Sequence, residues 1–364
     1  MKYEVDSQGT IMSSETRYRE ITVAGSPYEM GQQIGEAARE QIRGFCEISL
    51  ERVNKTVRIS RESARSVAER SLSFAEDYAP HLIEELRGTA EAAGVSLIDL
   101  MLLQVRNQFQ PDADAGCTSL SIANRETNNP IVAQNWDNDP VLDDFTVVLT
   151  RQPHDNPAIM CVTQAGLIAY IGMNDAGIAA CLNTLPAPSR NVGVPHYFTL
   201  REIYEANSLN GCIRAVDRAE RAIPANIMLA TPEGPADLEV TLDGVRVLKP
   251  EESGWITHTN HCLHSELCNI NEEFPELIQS HARKHRIDQL LTELTGEISI
   301  DQIERALRDH NDKPRSICRH TNDDPETGFW QTVFSVVMEP RKGRMDITRG
   351  TPCDHPYESY FLRV

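Results

Sequence analysis

Along the first third of the chain, apolar residues recur at helical spacing. Met30, Ile34, Ala38 and Ile42 stand four apart, which lays them along one helical face. Ser26-Pro27-Tyr28-Glu29 supplies a helix start, with Ser26 as N-cap, Pro27 at the first helical position and Glu29 placed to reach back. The pattern predicts further helices over Arg61 to Ala75 and over Pro80 to Ala93, the latter closed by Gly94. Ser96 then caps another apolar run, LIDLMLLQVRNQF. From Gln110 to Gly116 no large apolar residue occurs, so this stretch reads as an exposed, mobile loop.

Beyond that loop the period shortens. TSLSIA, PIVAQNWD, FTVVLTRQ, AIMCVTQA, LIAYIGM and GIAACLN read as successive strands. Several are divided by turn residues such as Asn128-Asn129-Pro130, Asn156-Pro157 and Asn174-Asp175. Helices fit His196 to Ala206 and Gly211 to Ala222. Strands resume at ANIMLATP, ADLEVT, GVRVLKP and GWITHTNHC, helices at Ser280 to Leu294 and Ile300 to His310, and strands again at WQTVFSVVMEP, RMDITRG and YESYFLRV. Strands in hairpin-like succession, not alternating one-for-one with helices, predict an α+β fold with antiparallel sheet. No Gly-, Pro- or Ser-rich linker and no repeat divides the 364 residues, so one domain, 1–364, is expected.

Composition narrows the function. With 35 Lys and Arg against 54 Asp and Glu, the net charge is −19, which repels phosphate backbones and argues against a nucleic-acid partner. No apolar run is long enough to span a membrane and no signal-peptide pattern opens the chain, so a cytoplasmic protein without a membrane partner is expected. The nine cysteines include no C-x-x-C pair and read mostly as reduced, buried thiols.

One cysteine differs. In Gly116-Cys117-Thr118-Ser119 the thiol stands between a polar loop and a strand, and Gly116 lets the chain bend and be approached closely. Asp137 ends the next strand in Gln134-Asn135-Trp136-Asp137, so hairpin pairing brings it beside Cys117, although Asn and Asp at a strand end also serve as turn formers. Asn260, in Thr257-His258-Thr259-Asn260-His261-Cys262, offers a side-chain amide for a developing oxyanion. Arg319, in Ser316-Ile317-Cys318-Arg319, lowers a thiol pKa if buried beside it and is otherwise a surface arginine. His258, His261 and His264 invite a zinc reading, but strand alternation turns His258 and His261 opposite ways, and no Cys or carboxylate stands at a familiar zinc spacing. The sequence therefore predicts neither a metal nor a cofactor.

Taken in order, PYEMGQQIG, RNQF, GCTSL, QNWD, TQAGLIAYIGMNDAGIA, GVPHYFTLR, THTNHC, RKHRIDQLL and SICR resemble the acyl-coenzyme A:6-aminopenicillanic acid acyltransferase family of self-processing cysteine amidohydrolases, which are N-terminal-nucleophile hydrolases. The resemblance runs from about Ile21 to the C-terminus. It implies a four-layer αββα sandwich and a precursor that cuts itself between Gly116 and Cys117 into associated fragments 1–116 and 117–364. It further implies Cys117 as nucleophile, Asp137 in support, Asn260 at the oxyanion and Arg319 near the thiol.

Cleavage would give Cys117 its own base. An α-amine titrates near ~7.7–8.0 and a thiol near ~8.5, so the freed amine accepts the thiol proton near neutral pH. The expected substrate is an N-acyl amide or short peptide-like amide cleaved through an acyl-thioester. The alternative is acyl-coenzyme A-dependent N-acyl transfer, for which His281-Ala282-Arg283-Lys284-His285-Arg286 is a basic cluster able to meet phosphates, or else a solvated helix face. A Cys/His protease and a non-catalytic binding module stand as further readings. The acyl group, the amine and the oligomeric state, a homo-oligomer among the options, stay open.

Overall fold

The computed structural model describes residues 4–5, 11–12, 16–109, 116–124, 129–273, 280–325 and 328–363. A two-residue antiparallel pair, β1 (Glu4–Val5) and β2 (Ile11–Met12), precedes β3 (Glu20–Gly25). β3 was not expected in a segment that reads as helical. Its signal is the alternation of exposed and buried residues that turns Ile21 and Val23 inward.

Five helices follow: α1 (Pro27–Ala37), α2 (Arg39–Val53), α3 (Arg61–Tyr78), α4 (Pro80–Ala93) and α5 (Leu97–Val105), the last running into a 3-10 turn over Arg106–Phe109. The expected caps form. Ser26 and Glu29 make a reciprocal capping box, as do Ser96 and Asp99, and Gly94 ends α4 at φ 70° in the left-handed region. Met30, Ile34, Ala38 and Ile42 are all buried, but the backbone breaks at Ala38, so their stripe spans two helices. α1 and α4 cross closely. A Cβ on Gly31 would lie 2.0 Å from the Glu85 carbonyl oxygen, and one on Gly88 would lie 2.2 Å from that of Tyr28.

The remaining elements are β4 (Thr118–Ile122), β5 (Ile131–Asn138), β6 (Thr146–Pro153), β7 (Ile159–Gln164), β8 (Ile171–Asn174), β9 (Ala179–Asn183), α6 (His196–Ile203), α7 (Leu209–Asp217), β10 (Ala225–Thr231), β11 (Gly234–Val240), β12 (Val245–Leu248), β13 (Trp255–His258), α8 (Ile270–Glu273), α9 (His281–Thr292), α10 (Ile300–Leu307), β14 (Gln331–Glu339), β15 (Arg344–Thr348) and β16 (Tyr357–Phe361). They build an eight-stranded sheet, β12-β11-β10-β9-β8-β7-β6-β3, and a six-stranded sheet, β13-β4-β5-β14-β15-β16. Every pairing in these sheets is antiparallel except β3 with β6. Two strands are shorter than the apolar runs suggest. The LIAYIGM segment extends only from Ile171, and β13 stops at His258, so the alternation argument about His258 and His261 does not apply.

The two sheets pack face to face through β4 and β5 against β9 and β10. α1 covers β3 and β6, and α7 covers β11 and β12. On the opposite side α9 lies on β13, while α10 lies on β5 and β14. The order is αββα, as the resemblance implied. Central strands buried on both faces carry near-continuous buried runs instead of alternation, as in β4, β5 and β7. A buried carboxylate ties the helical layer down: Glu85 of α4 meets Arg151 of β6 at 2.7 Å and Arg201 of α6 at 3.5 Å.

The α1–α4 crossing yields a test. Gly31→Ala forces the helices apart and costs about 1–3 kcal/mol, as overpacking does, seen as a lower urea midpoint. An unchanged midpoint would rule out so close a crossing.

Candidate active site

β4 and β5 pair with Thr118 opposite Asn135 and Ser119 opposite Gln134, so the same register carried two steps further sets Gly116 against Asp137. Successive residues face opposite ways. Leu120 and Ile122 pack in the apolar layer shared with Ile287 and Leu291 of α9, whereas Cys117 joins the core between the sheets. Cys117 is only 2% exposed.

The backbone of Cys117 is held from two sides. Its N–H donates to Asn260 Oδ1 at 3.0 Å. Arg283 of α9 donates to the Cys117 carbonyl, to Thr118 Oγ1 at 3.1 Å and to Asn260 Oδ1 at 3.0 Å. Asn260 in turn donates through Nδ2 to the Thr184 carbonyl and to Thr184 Oγ1, both at 3.0 Å. Gly116 sits against charge. A Cβ there would come within 2.9 Å of Arg319 Nη1 and within 3.2 Å of both Arg283 Nη2 and Asp137 Oδ2. Asp137 Oδ1 accepts from Thr332 Oγ1 at 2.7 Å, and that hydroxyl accepts from the Arg319 N–H at 3.0 Å. The Arg319 guanidinium lies 5.6 Å from the centre of the Trp330 ring.

Cys117, Asp137, Asn260 and Arg319, chosen from the sequence, therefore gather around the Gly116–Cys117 peptide. Arg319 is buried and is not a surface arginine. Gln110 to Ala115 and Asn128 lie outside the described residues. Sequence reasoning missed Thr184, Thr332 and above all Arg283. The basic run from His281 to Arg286 is not a plain solvated face. Arg283 is buried at the Cys117 backbone, Lys284 pairs with Asp288 at 2.5 Å, and Arg286 pairs with Asp309 at 2.6 Å. The one available signal for Arg283 was its place four residues before the buried Ile287, on the inward face of α9.

Cys117 opens onto a cleft of about 960 Å³, its open mouth included. One wall is aromatic: Trp136 stacks on Phe334 at 4.9 Å and meets Tyr170 edge-on at 5.5 Å, and Phe45, Phe329 and Trp330 also line the space. Its polar side includes Arg106 and His196, which are 8% and 6% exposed. Arg106 Nε and Nη2 and His196 Nε2 have no hydrogen-bond partner among the described residues. Burial, with the Arg106 charge added, pushes His196 down to about 3. An imidazole that weakly basic is a poor proton acceptor for a thiol, which tells against a Cys/His pair built on His196.

A polar line crosses between the sheets below Cys117. Gln134 donates to Asn183 Oδ1 at 2.7 Å, Asn183 donates to Ser119 Oγ at 2.7 Å and to Asn226 Oδ1 at 3.1 Å, and Asn226 donates to Asp237 Oδ1 at 2.5 Å. Burial drives Asp237 up to about 7, against the pull of nearby His258. The adjacent Glu239 accepts from His258 at 2.9 Å and is held below its usual range by that bond, despite burial.

A sequence profile described as acyl-coenzyme A:6-aminopenicillanic acid acyltransferase matches residues 124–354. The chain belongs to that family. Over 348 residues it is 26% identical to the 40 kDa form of the acyl-coenzyme A:6-aminopenicillanic-acid acyltransferase of Emericella nidulans, across 94% of this chain and 95% of that one. Two solved structures are more distant. A mutant conjugated bile acid hydrolase from Clostridium perfringens aligns with TM-score 0.42 and 12% identity over 68% of this chain and 97% of its own. Penicillin V acylase from Agrobacterium tumefaciens aligns with TM-score 0.43 and 10% identity, over 64% and 82%. The family is one of acyltransferases, so the chain is an enzyme of that class. Among the described residues no helix is long and apolar enough to cross a membrane.

The Asp237 environment predicts a pH dependence. Its folded pKa lies above the unfolded value of about 3.9, so between the two the folded state holds the extra proton, and stability falls as pH rises through that window. Asp237→Asn removes this loss. Urea unfolding should show the variant gaining on the wild type from about pH 5 to about pH 8. Parallel pH profiles would place the Asp237 titration elsewhere.

Proposed function

We propose that this chain is a self-processing cysteine amidohydrolase. The observation that carries the reading is that the peptide bond before Cys117 lies inside the candidate site, with Gly116 packed against Asp137, Arg283 and Arg319 and the Cys117 nitrogen bonded to Asn260. The Cys117 thiol attacks the Gly116 carbonyl. The C–N bond breaks, the nitrogen takes a proton and becomes the free α-amine, and a thioester links Gly116 to the sulfur. Water opens the thioester, releasing the thiol and the Gly116 carboxylate. The fragments 1–116 and 117–364 stay together because β3 from the first completes the eight-stranded sheet through β6 of the second.

In turnover the α-amine accepts the thiol proton and the thiolate attacks a substrate amide. Asn260 is the oxyanion donor. Its Oδ1 stays on the Cys117 nitrogen and Arg283, while an Nδ2 hydrogen passes from Thr184 Oγ1 to the substrate oxygen. Losing such a donor costs about 2.7–4 kcal/mol of barrier. Asp137, fixed by Thr332, and Arg319 balance charge beside the scissile bond. The apolar part of the substrate lies on the aromatic wall, and a carboxylate on the substrate meets Arg106 through Nε and Nη2.

A second reading, acyl transfer from an acyl-coenzyme A to an amine, is favoured by the Emericella nidulans relative. Lys284 and Arg286 of the basic cluster are paired with Asp288 and Asp309, with which a phosphate would compete. Acyl-thioester consumption with and without added amine separates the two.

On a denaturing gel the wild type should run as two fragments, while Cys117→Ala should run as one uncut, inactive chain. Cleavage after Gly116 in that variant, or full activity in an uncut wild type, would falsify self-processing. Arg106→Gln should cut normally and raise KM for carboxylate-bearing amides by about 10- to 100-fold, the worth of a charged hydrogen bond. Their methyl esters should be insensitive. Equal effects on acid and ester would exclude the Arg106 contact.

A further inference from the structure

Arg319 has a second side. The residues flanking it in sequence, Cys318 and His320, meet two side chains from other segments. One is His310, just after α10. The other is Cys353, in the connection from β15 to β16. His310 Nε2 lies 3.0 Å from His320 Nε2, and Cys318 Sγ lies 3.7 Å from Cys353 Sγ. His320 Nε2 is 3.7 Å from Cys318 Sγ and 3.3 Å from Cys353 Sγ. All four ligand atoms fall within 4.8 Å of one another.

These separations have a specific geometric meaning. Zinc bonds sulfur at about 2.3 Å and imidazole nitrogen at about 2.0–2.1 Å, so a regular tetrahedron puts its ligand atoms about 3.8 Å apart for S–S, about 3.6 Å for S–N and about 3.3 Å for N–N. Each measured edge falls close to its counterpart. A disulfide needs sulfurs at about 2.05 Å, far inside the observed contact. A hydrogen bond between the two imidazoles explains their approach to each other, but not two sulfurs converging on the same nitrogen.

Among the described residues a second group of potential metal-binding side chains differs in kind. His81, Glu202 and Glu205 stand together, but Arg218 already pairs with Glu202 and Arg201 with Glu205. Their charge is met by protein. At the Cys/His cluster the donors are soft and neutral, two nitrogens and two sulfurs, which is the set that selects a zinc-class ion in tetrahedral geometry.

We propose that His310, Cys318, His320 and Cys353 bind one zinc ion, and that this ion positions Arg319 at the active site. Binding releases the two thiol protons, and two thiolates neutralise the dication. Ligands on either side of Arg319 fix its backbone, whose N–H and C=O both bond to Thr332, the residue that also holds Asp137. The ion thus joins the end of α10, the segment before β14 and the β15–β16 connection into one support. Arg319 is a positioning target here. The metal-site claim does not depend on Cys117 chemistry, whereas the positioning claim rests on the proposed function.

The test uses the full chain, purified reduced and without chelator. Elemental analysis should give about one zinc per chain, falling below about a tenth in His310→Ala and in Cys353→Ser. Cobalt substitution should give the visible absorption of tetrahedral, thiolate-bound Co²⁺ in the wild type and not in the variants. Should either variant fail to fold, the wild type alone decides. After stripping by a chelator, added ZnCl₂ should protect Cys318 and Cys353 from alkylation, while exposed Cys268 stays reactive. A reduced wild type that takes up no zinc overturns the site. Metal uptake with turnover unchanged between stripped and reloaded enzyme overturns the positioning of Arg319. Both metal readouts hold whether or not the chain is cut before Cys117, so failure of self-processing is read separately.

Discussion

The hydrogen bond from the Cys117 nitrogen to Asn260 Oδ1 is the interaction on which the site depends. It joins two places that the chain keeps far apart, the start of β4 and the turn after β13. Arg283 completes it by donating both to Asn260 Oδ1 and to the Cys117 carbonyl. A buried guanidinium and a buried amide are costly unless bonded, and these satisfy each other while fixing the backbone of Cys117. The same groups keep Gly116 bare, since a side chain there meets Arg319, Arg283 and Asp137 within 3.2 Å.

The fold makes that arrangement rigid. β4 and β5 lie mid-sheet, covered on one face by the other sheet and on the other by α9 and α10. Alternation along β4 then sends Cys117 toward the inter-sheet cleft and Thr118 toward Arg283. The line from Gln134 through Asn183 and Asn226 to Asp237 pins the two sheets in register, because slipping either one would strand buried amides. Precision at the thiol thus comes from strands, while the cleft wall combines strand residues such as Trp136 and Asn183 with residues of helices and loops such as Phe45 and Phe329.

Arg319 shows how supports are layered. Its side chain faces the Gly116 region, its backbone is bonded to Thr332, and its two neighbours enter the Cys/His cluster. A residue whose charge matters by its position alone needs such anchoring, since a guanidinium on a free loop would be drawn into water. Arg106 is the complementary case. It is buried by the cleft wall, with Nε and Nη2 lacking a hydrogen-bond partner among the described residues.

Local chemistry was legible where it is local. Ser26, Ser96 and Gly94 marked helix ends because capping uses only neighbours in sequence, and the short-period runs gave an antiparallel α+β fold for the same reason. Cys117 and Asp137 were legible as a hairpin pair, and Asn260 and Arg319 through family motifs. β3 was hidden because its partner β6 lies more than a hundred residues on. Arg283 read as one more basic residue on a charged helix, and the Cys/His cluster from His310 to Cys353 is drawn from three segments. By itself the sequence determined most of the elements, several of their caps and Cys117 as the candidate nucleophile. Only the tertiary structure decided which distant side chains meet Cys117, because burial and partner geometry belong to the packed layers and to no window of the chain.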